Sequence, residues 1–329
     1  MRYEARSSVS LAKVQLVVFI VFCLLALAGC SSDKPGGVTA TNEPAKTSSP
    51  PTPPPDFQKQ HQQAEEQFRP GVGAEREQDQ KEAEQTLDQD AIAAVQQTND
   101  AIKAIAANKK GDALAAIERA TGKINVLVAR KPAAALVPVD VQVVVIDAAP
   151  LDIKTIDQIV QRATDATKQR DLPAARLLLA AVVSELRIST TSLPLATYPA
   201  ALQQAARLLD QDKNQDAGNV LLTLVNTLVV VDHVIPLPLI VARAAIDQAN
   251  VKRQDKDTAL TLLQTAKNEL DRSRHLGYLG DDSEYKALDQ EISNLQSAIK
   301  GKSDTSSLFA HLRDRISAFL KRQKEHDQH

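Results

Sequence analysis

Apolar residues recur with helical spacing along most of the chain after residue 87. The first part of this pattern contains two apolar stripes, at Ile92, Val95, Ile102 and Ile105 and at Leu114, Ile117, Ile124 and Leu127. Spacings of three and four residues are typical of one face of an α-helix. A polar turn at residues 108–112 separates the stripes. The pattern therefore predicts two antiparallel helices between about residues 87 and 130.

A Pro-Leu pair then recurs every 44 residues, at Pro150, Pro194 and Pro238. Each pair follows a run rich in Val, Ile or Thr and precedes two helical patterns that a polar turn separates. Because β-branched residues favour strands, the recurrence predicts three strand–helix–helix units. In the alternative interpretation, the β-branched runs are the apolar ends of helices.

The second helix of each unit carries the same pair of apolar positions. An alanine lies near its start, at Ala175, Ala217 and Ala259, and a leucine follows four residues later, at Leu179, Leu221 and Leu263. Small residues let helix axes approach closely, and a lone amphipathic hairpin needs a neighbour to bury its apolar face. The predicted fold is therefore mainly α, with stacked antiparallel helical hairpins around a shared core and a few short β-strands between them.

The last segment, residues 301–329, is predicted to be a basic amphipathic helix that follows a helical repeat domain at residues 87–300. Its apolar stripe consists of Leu308, Leu312, Ile316, Phe319 and Leu320, and Arg and Lys side chains surround it. Such a helix packs on its own domain or a second subunit, or it lies on an anionic membrane surface. Both interpretations stay open at the level of sequence.

The chain begins with a basic leader and an apolar run at residues 14–27. A helix over that run would reach only about 21 Å, whereas a bilayer core is about 30 Å thick, so the run is typical of a cleaved export signal. It ends in Leu27-Ala28-Gly29-Cys30, which is similar to the lipobox of bacterial lipoproteins. Residues 1–29 are therefore predicted to be a signal peptide, cleaved between Gly29 and Cys30, with lipid that includes palmitate on the Cys30 thiol. An uncleaved anchor and ordinary secretion are the alternatives.

The residues after Cys30 suggest where the chain is held. Residue 31 is Ser rather than Asp, which in Gram-negative lipoproteins favours the outer membrane, so we expect the chain to be anchored there and to face the periplasm. Residues 30–86 are rich in Pro, Ser, Gln and Glu. Because such a composition buries too little apolar surface to fold, this stretch is predicted to be a disordered tether, with at most a frayed helix after residue 57.

Composition narrows the range of partners. A formal charge of −2 and an aromatic content of 3% provide neither the basic surface nor the stacking rings that nucleic-acid binding needs. Cys23 lies in the leader, so the mature chain would have Cys30 as its single thiol, which leaves no pair for a disulfide or a metal cluster. We therefore expect no nucleic acid, no metal and no cofactor.

Histidine is the residue type to examine for acid–base chemistry. The six histidines form no spaced motif and suggest no triad of nucleophile, base and orienting group, so the chain is predicted not to be an enzyme. His233 follows the run Val229-Val230-Val231-Asp232 and is the candidate for a pH-sensitive group, because an imidazole titrates near neutral pH. The alternative is an ordinary histidine at a strand end with a local hydrogen bond.

Several stretches of the chain resemble the YfdX family of bacterial exported proteins. They are the runs VPVDVQVVV at residues 137–145, LPL at 193–195, AARLL at 205–209 and VVVD at 229–232. The resemblance extends over roughly residues 88–300. It implies a mostly helical periplasmic protein, often oligomeric, that is linked to envelope or acid stress, and it supplies no catalytic residues.

These features together predict a membrane-anchored periplasmic scaffold that binds protein partners or associates with itself. The runner-up hypothesis is a periplasmic lipoprotein that binds a small molecule in an apolar cleft between helical units near Pro194 and Pro238.

Overall fold

The computed structural model describes residues 55–278, 283–301 and 304–326. The predicted signal peptide, Gly29, Cys30 and the first part of the predicted tether lie outside these residues. The described residues belong to one unit of the chain, Pro53–His329, and no helix among them is both long enough and apolar enough to cross a bilayer.

Within these residues the chain is mainly helical, as predicted, with one small sheet. The helices are α1 (Pro55–Glu84), α2 (Gln89–Ala106), α3 (Lys110–Arg130), α4 (Ile153–Lys168), α5 (Leu172–Ala180), α6 (Tyr198–Asp210), α7 (Asn214–Val225), α8 (Leu237–Val251), α9 (Lys256–His275), α10 (Ser283–Lys300) and α11 (Ser306–His326). The strands are β1 (Leu136–Asp147), β2 (Ser184–Pro194) and β3 (Val229–Pro236).

The three β-branched runs are strands of one antiparallel sheet in the order β1-β2-β3. Leu136 pairs with Pro194 at one end of β1, and Asp147 pairs with Ser184 at the other. Ser192 pairs with Val229 in the same way on the far side of β2. The three predicted strand–helix–helix units are confirmed, and the alternative that these runs end helices is wrong.

Three of the helical hairpins turn with the same backbone geometry. Asn108, Arg170 and Asp212 have φ angles of 57°, 60° and 58° and follow α2, α4 and α6. In each turn the next residue donates its N–H to a carbonyl oxygen five residues earlier, as Lys109 does to Ala104 at 2.9 Å. This arrangement satisfies carbonyl groups at the end of the first helix and reverses the chain within a few residues.

Successive hairpins leave the sheet at opposite ends, and this corrects the predicted stacking in chain order. Neighbouring antiparallel strands run in opposite directions. β1 and β3 therefore finish at one end of the sheet, where α4–α5 and α8–α9 begin, and β2 finishes at the other end, where α6–α7 begins. The Pro150 and Pro238 corners therefore lie at one end of the sheet, and Pro194 lies at the opposite end. The spacing along the chain carries no information about this alternation.

As a result the described residues form two apolar cores in place of the single predicted one. The first core joins α2, α3, α6 and α7 with Val137 of β1 and Leu193 of β2. The second joins α1, α8, α9, α10 and α11 with Val143, Leu186 and Ile235 of the sheet. Each core therefore lies at one end of the three strands.

The C-terminal helix is part of the second core. Four of its five predicted stripe residues, Leu312, Ile316, Phe319 and Leu320, are buried together with Phe309, whereas Leu308 is 40% exposed. Arg315 forms ion pairs with Glu284 and Glu291 of α10, and Arg313 forms one with Asp247 of α8. The interpretation that this helix packs on its own domain is confirmed, and the membrane alternative is wrong because no apolar stripe is left to insert.

The predicted tether also requires correction, because residues 55–84 of it form the helix α1. Phe68 is buried in the second core, and Glu75, itself buried, forms an ion pair with Arg243 of α8. Gly71 lies so close to Ala244 that an added Cβ would stand 2.9 Å from the alanine Cβ. A few specific contacts fix this helix, and its Gln/Glu-rich composition gave no sign of them.

Candidate functional site

The most exposed part of the sheet is the first half of β3. Val229, Val230 and Val231 are 37%, 60% and 47% exposed. β3 is the last strand in the sheet order, and among the described residues it pairs only with β2. No described strand pairs with the outer backbone N–H and C=O groups of this half of β3, and the exposure of its residues favours the addition of a further strand.

Residues 229–232 lack several of the features that usually prevent strand pairing, although α8 and α11 both contact β3. Natural edge strands are protected by lysine, proline, a bulge or a cover of other elements, and residues 229–232 contain no lysine or proline. Asp232 is their one charged residue, and its carboxylate accepts a hydrogen bond from Ser189 Oγ at 2.6 Å. The valines present β-branched side chains, which pack well on a neighbouring strand.

His233 lies in β3 directly after this open stretch. It pairs with Ile188 of β2, is half-buried, and its Nε2 atom has no solvent exposure. The structure thus places the candidate histidine beside the exposed edge, and its pH-sensitive role remains a prediction.

A series of polar contacts lies at the other end of the sheet, where β1 ends and β2 begins. Tyr278 donates its hydroxyl to Glu185 at 3.2 Å and accepts the backbone N–H of Ser184 at 2.9 Å. Ser184 Oγ donates to Asp147 at 2.7 Å. Burial raises the pKa of Tyr278 to about 12, so its hydroxyl remains a neutral donor at physiological pH.

Arg272 of α9 extends these contacts to the corner after β1. Its buried guanidinium pairs with Asp147 at 3.0 Å and with Glu269 at 3.2 Å. It also donates to the carbonyl oxygens of Ala149 at 3.0 Å and Pro150 at 3.1 Å. The start of the α4–α5 hairpin is therefore fixed to α9 through one buried cation.

A second polar contact between α9 and α4 was not predicted from the sequence. His275 Nδ1 of α9 lies 2.7 Å from Asp157 Oδ1 of α4. The two residues are more than one hundred positions apart, and neither belongs to a motif, so no local pattern indicated the pair.

A small cleft lies beside Arg272, between α1, β1, α8 and α9. Its volume is about 140 Å³, whereas typical ligand pockets have about 300–1,000 Å³. Its lining is apolar with a charged base, and consists of Phe68, Arg69, Val72, Val145, Asp147, Leu151, Leu237, Val241, Glu269 and Arg272. The runner-up hypothesis expected one cleft near both Pro194 and Pro238, and this is wrong because the two prolines lie at opposite ends of the sheet. A separate cleft of about 340 Å³ lies close to Pro194, between α6 and α7.

No three His, Cys, Asp or Glu side chains converge in a metal-binding arrangement within the described ranges. Among the features that the described residues offer for function are the exposed edge of β3 and the clefts that border Arg272.

The family comparison agrees with the resemblance noted from sequence. The family model described as YfdX protein matches residues 94–234. This stretch is a YfdX region. It runs from α2 to β3 and includes the open edge, whereas α1 and α8 to α11 lie outside the match. The resemblance is confirmed for these residues, which are fewer than the 88–300 expected.

A structural comparison adds little. The solved structure of Salmonella Typhi YfdX aligns with 46% of this chain and 93% of its own at 13% identity, with a TM-score of 0.32. A score that low supports no argument about shape. No curated protein matches the chain.

Proposed function

We propose that this YfdX-region protein is a lipid-anchored scaffold on the periplasmic face of the outer membrane, without enzymatic activity, that binds partner proteins during envelope or acid stress. In this proposal the partner contributes an extended segment that pairs with β3 as a fourth strand. The export leader, the lipobox-like Leu27-Ala28-Gly29-Cys30 and the YfdX region support the setting. The open edge of β3 supports the mode of binding.

The single observation that carries the proposal is the exposure of Val229, Val230 and Val231 on an edge strand. Strand addition draws its affinity from backbone hydrogen bonds and its specificity from alternate side chains. The apolar cleft beside Arg272 is smaller than usual ligand sites, and a larger cleft of about 430 Å³ on the same arginine is lined mainly by polar side chains. A small molecule in an apolar cleft therefore has less structural support.

A lysine on the edge tests this mode of binding. The change Val230→Lys places a charge where an incoming strand would pack, and it should leave the fold intact because Val230 is 60% exposed. Val251→Lys is the matched control, since Val251 is 77% exposed but lies at the end of α8, away from the sheet.

Affinity capture from envelope extracts should recover a partner with the wild type and with Val251→Lys, and lose it with Val230→Lys. Equal capture by all three proteins would reject the edge as the binding site. A photo-crosslinker at position 230 then reports by the size of the adduct whether the occupant is another protein or a second copy of this chain.

The anchor is tested separately by mass spectrometry of the mature N-terminus. We expect cleavage before Cys30 and an added lipid mass on that residue, both absent in Cys30→Ser. An intact Met1, or an unmodified thiol on a cleaved chain, would refute lipid anchoring and leave the β3 proposal standing.

A further inference from the structure

The helix α5 exposes an apolar surface that its equivalents in the other units bury. Leu172, Leu177 and Leu179 are 65%, 75% and 52% exposed. Leu179 occupies the repeat position of Leu221 and Leu263, both of which are fully buried. The alanine four residues earlier is buried in all three units. The units therefore differ in burial at the leucine position and not at the alanine position.

The exposed leucines form a broad arc on the helix. Leu172 and Leu179 are seven residues apart, so they lie on the same side of α5, and Leu177 lies roughly 140° around the axis from Leu172. Ala174, Ala175 and Leu178 form the more buried side of α5, and Ala175 borders the arc, about 60° from Leu172 and 40° from Leu179. α5 packs against α4 and makes no extensive contact with the rest of the described chain.

The hairpin that carries this arc has an excess of basic side chains, although Lys168 lies 3.7 Å from Asp165. Residues 162–180 contain four basic side chains (Arg162, Lys168, Arg170 and Arg176) and two acidic ones, although the chain as a whole has a formal charge of −2. Asp171, one of the two acids, caps α5 by accepting the N–H of Ala174 at 3.1 Å. Arg170 and Arg176 are exposed, and neither forms an ion pair with a described residue.

We propose that the turn and outer face of the α4–α5 hairpin rest on an anionic lipid bilayer, with the leucines in the interfacial region and the arginines at the headgroups. Apolar area together with electrostatic attraction is the combination that holds amphipathic helices at membrane surfaces, and arginine extends its charge to the headgroups while its stem stays apolar. α11 cannot play this part because its apolar stripe is buried except for Leu308. This inference concerns a different surface from the β3 edge and goes beyond the function proposed above.

Vesicle binding by protein that carries no lipid of its own provides the test. The chain without residues 1–29 and with Cys30→Ser retains every described element, so any binding must come from its surface. It is mixed with phosphatidylcholine vesicles or with vesicles that also contain phosphatidylglycerol, and the bound fraction is measured by sedimentation.

We expect binding to phosphatidylglycerol vesicles that weakens as salt is added. The double change Leu177→Ser and Leu179→Ser should lower the partition coefficient about tenfold or more, and Arg170→Gln or Arg176→Gln should lower it roughly fivefold each on the anionic vesicles only. Val251→Ser, which removes a more exposed apolar side chain elsewhere, should have no effect. Thermal midpoints of all variants should match the parent because these side chains are exposed.

Absence of vesicle binding would overturn the proposal, as would equal binding by the leucine variant. If the leucine variant loses a captured protein while neither it nor the parent binds vesicles, the hairpin contacts protein and the lipid proposal is wrong. None of these results affects the Val230→Lys experiment, so the two proposals can fail independently.

Discussion

At the scale of single residues, Arg272 lies in the interior where β1, the corner before α4 and the helix α9 meet. Its partners Asp147 and Glu269 are also largely shielded from water. Removing one member of a buried charged group leaves the others without compensation, which costs more than the group contributes in the intact protein. Loss of the cation alone should therefore destabilise this corner.

We predict that Arg272→Met lowers the free energy of unfolding by about 3–5 kcal/mol, measured by urea denaturation. Arg313→Met breaks the exposed pair with Asp247 and should cost less than about 1 kcal/mol. Similar losses for the two variants would show that Arg272 is not the anchor of this corner.

Asp88 is a second largely buried charged residue, and it caps the start of α2. Its carboxylate accepts the N–H groups of Asp90 and Ala91 and pairs with Arg130 at 2.8 Å and Lys131 at 2.9 Å. Burial raises the pKa of Asp88, but the hydrogen bond from Lys131 and those from the backbone outweigh it, so the pKa lies below its usual 3.8.

A carboxyl with a depressed pKa stabilises the fold above its unfolded pKa, and that contribution is lost as the pH falls through the folded value. Asp88→Asn should therefore cost about 1.5–3 kcal/mol at pH 7, and the gap from the wild type should close below about pH 4. Urea midpoints measured across this range give the comparison. A gap that stays constant down to pH 2 would contradict the assigned ion pairs.

At the scale of elements, the sequence predicted the units but not their arrangement. The Pro-Leu recurrence and the β-branched runs located all three strands, because local preference and burial agree there. The order of packing depends on which strands pair and in which direction, and no residue in one unit identifies its partner in another. The same reason explains why Leu179, Leu221 and Leu263 looked equivalent although Leu179 alone of the three is exposed.

The helix α1 was missed for a different reason. Its mean hydropathy is low, and it contains Pro70, so composition favoured a disordered tether. The helix is held by the burial of Phe68 and by the close approach of Gly71 to Ala244. It is also held by an ion pair between the buried Glu75 and Arg243, which lies 168 residues away. Long-range contacts of this kind leave no periodic trace.

Two glycines of α1 give a matched test of its docking. Gly71→Ala adds a methyl group 2.9 Å from Ala244 Cβ. Because an alanine Cβ cannot rotate away, α1 or α8 must shift. We expect a loss of about 1–3 kcal/mol in unfolding free energy. Gly73→Ala has no atom within 4 Å of the new Cβ and should gain up to about 1 kcal/mol from helix propensity. If Gly71→Ala and Gly73→Ala change the free energy of unfolding in the same direction in urea denaturation, α1 does not pack on α8.

At the scale of the whole molecule, the small sheet joins two helical cores and leaves part of one edge open. The YfdX region supplies the first core and the sheet, whereas α1 and the C-terminal helices supply most of the second. The sequence marked VVVD at residues 229–232 as a strand and His233 beside it as a candidate. The sequence alone does not show that residues 229–232 are exposed, because their exposure depends on how far the helices of the two cores extend over the sheet.

Amide hydrogen exchange measures directly whether a partner strand pairs with β3. In an edge strand alternate N–H groups point away from the sheet, so an added strand should slow exchange at alternate residues of 229–232. We predict this period-two protection when the partner captured through the β3 edge is bound, and its absence in Val230→Lys. Unchanged exchange in β3 with protection elsewhere would contradict strand addition.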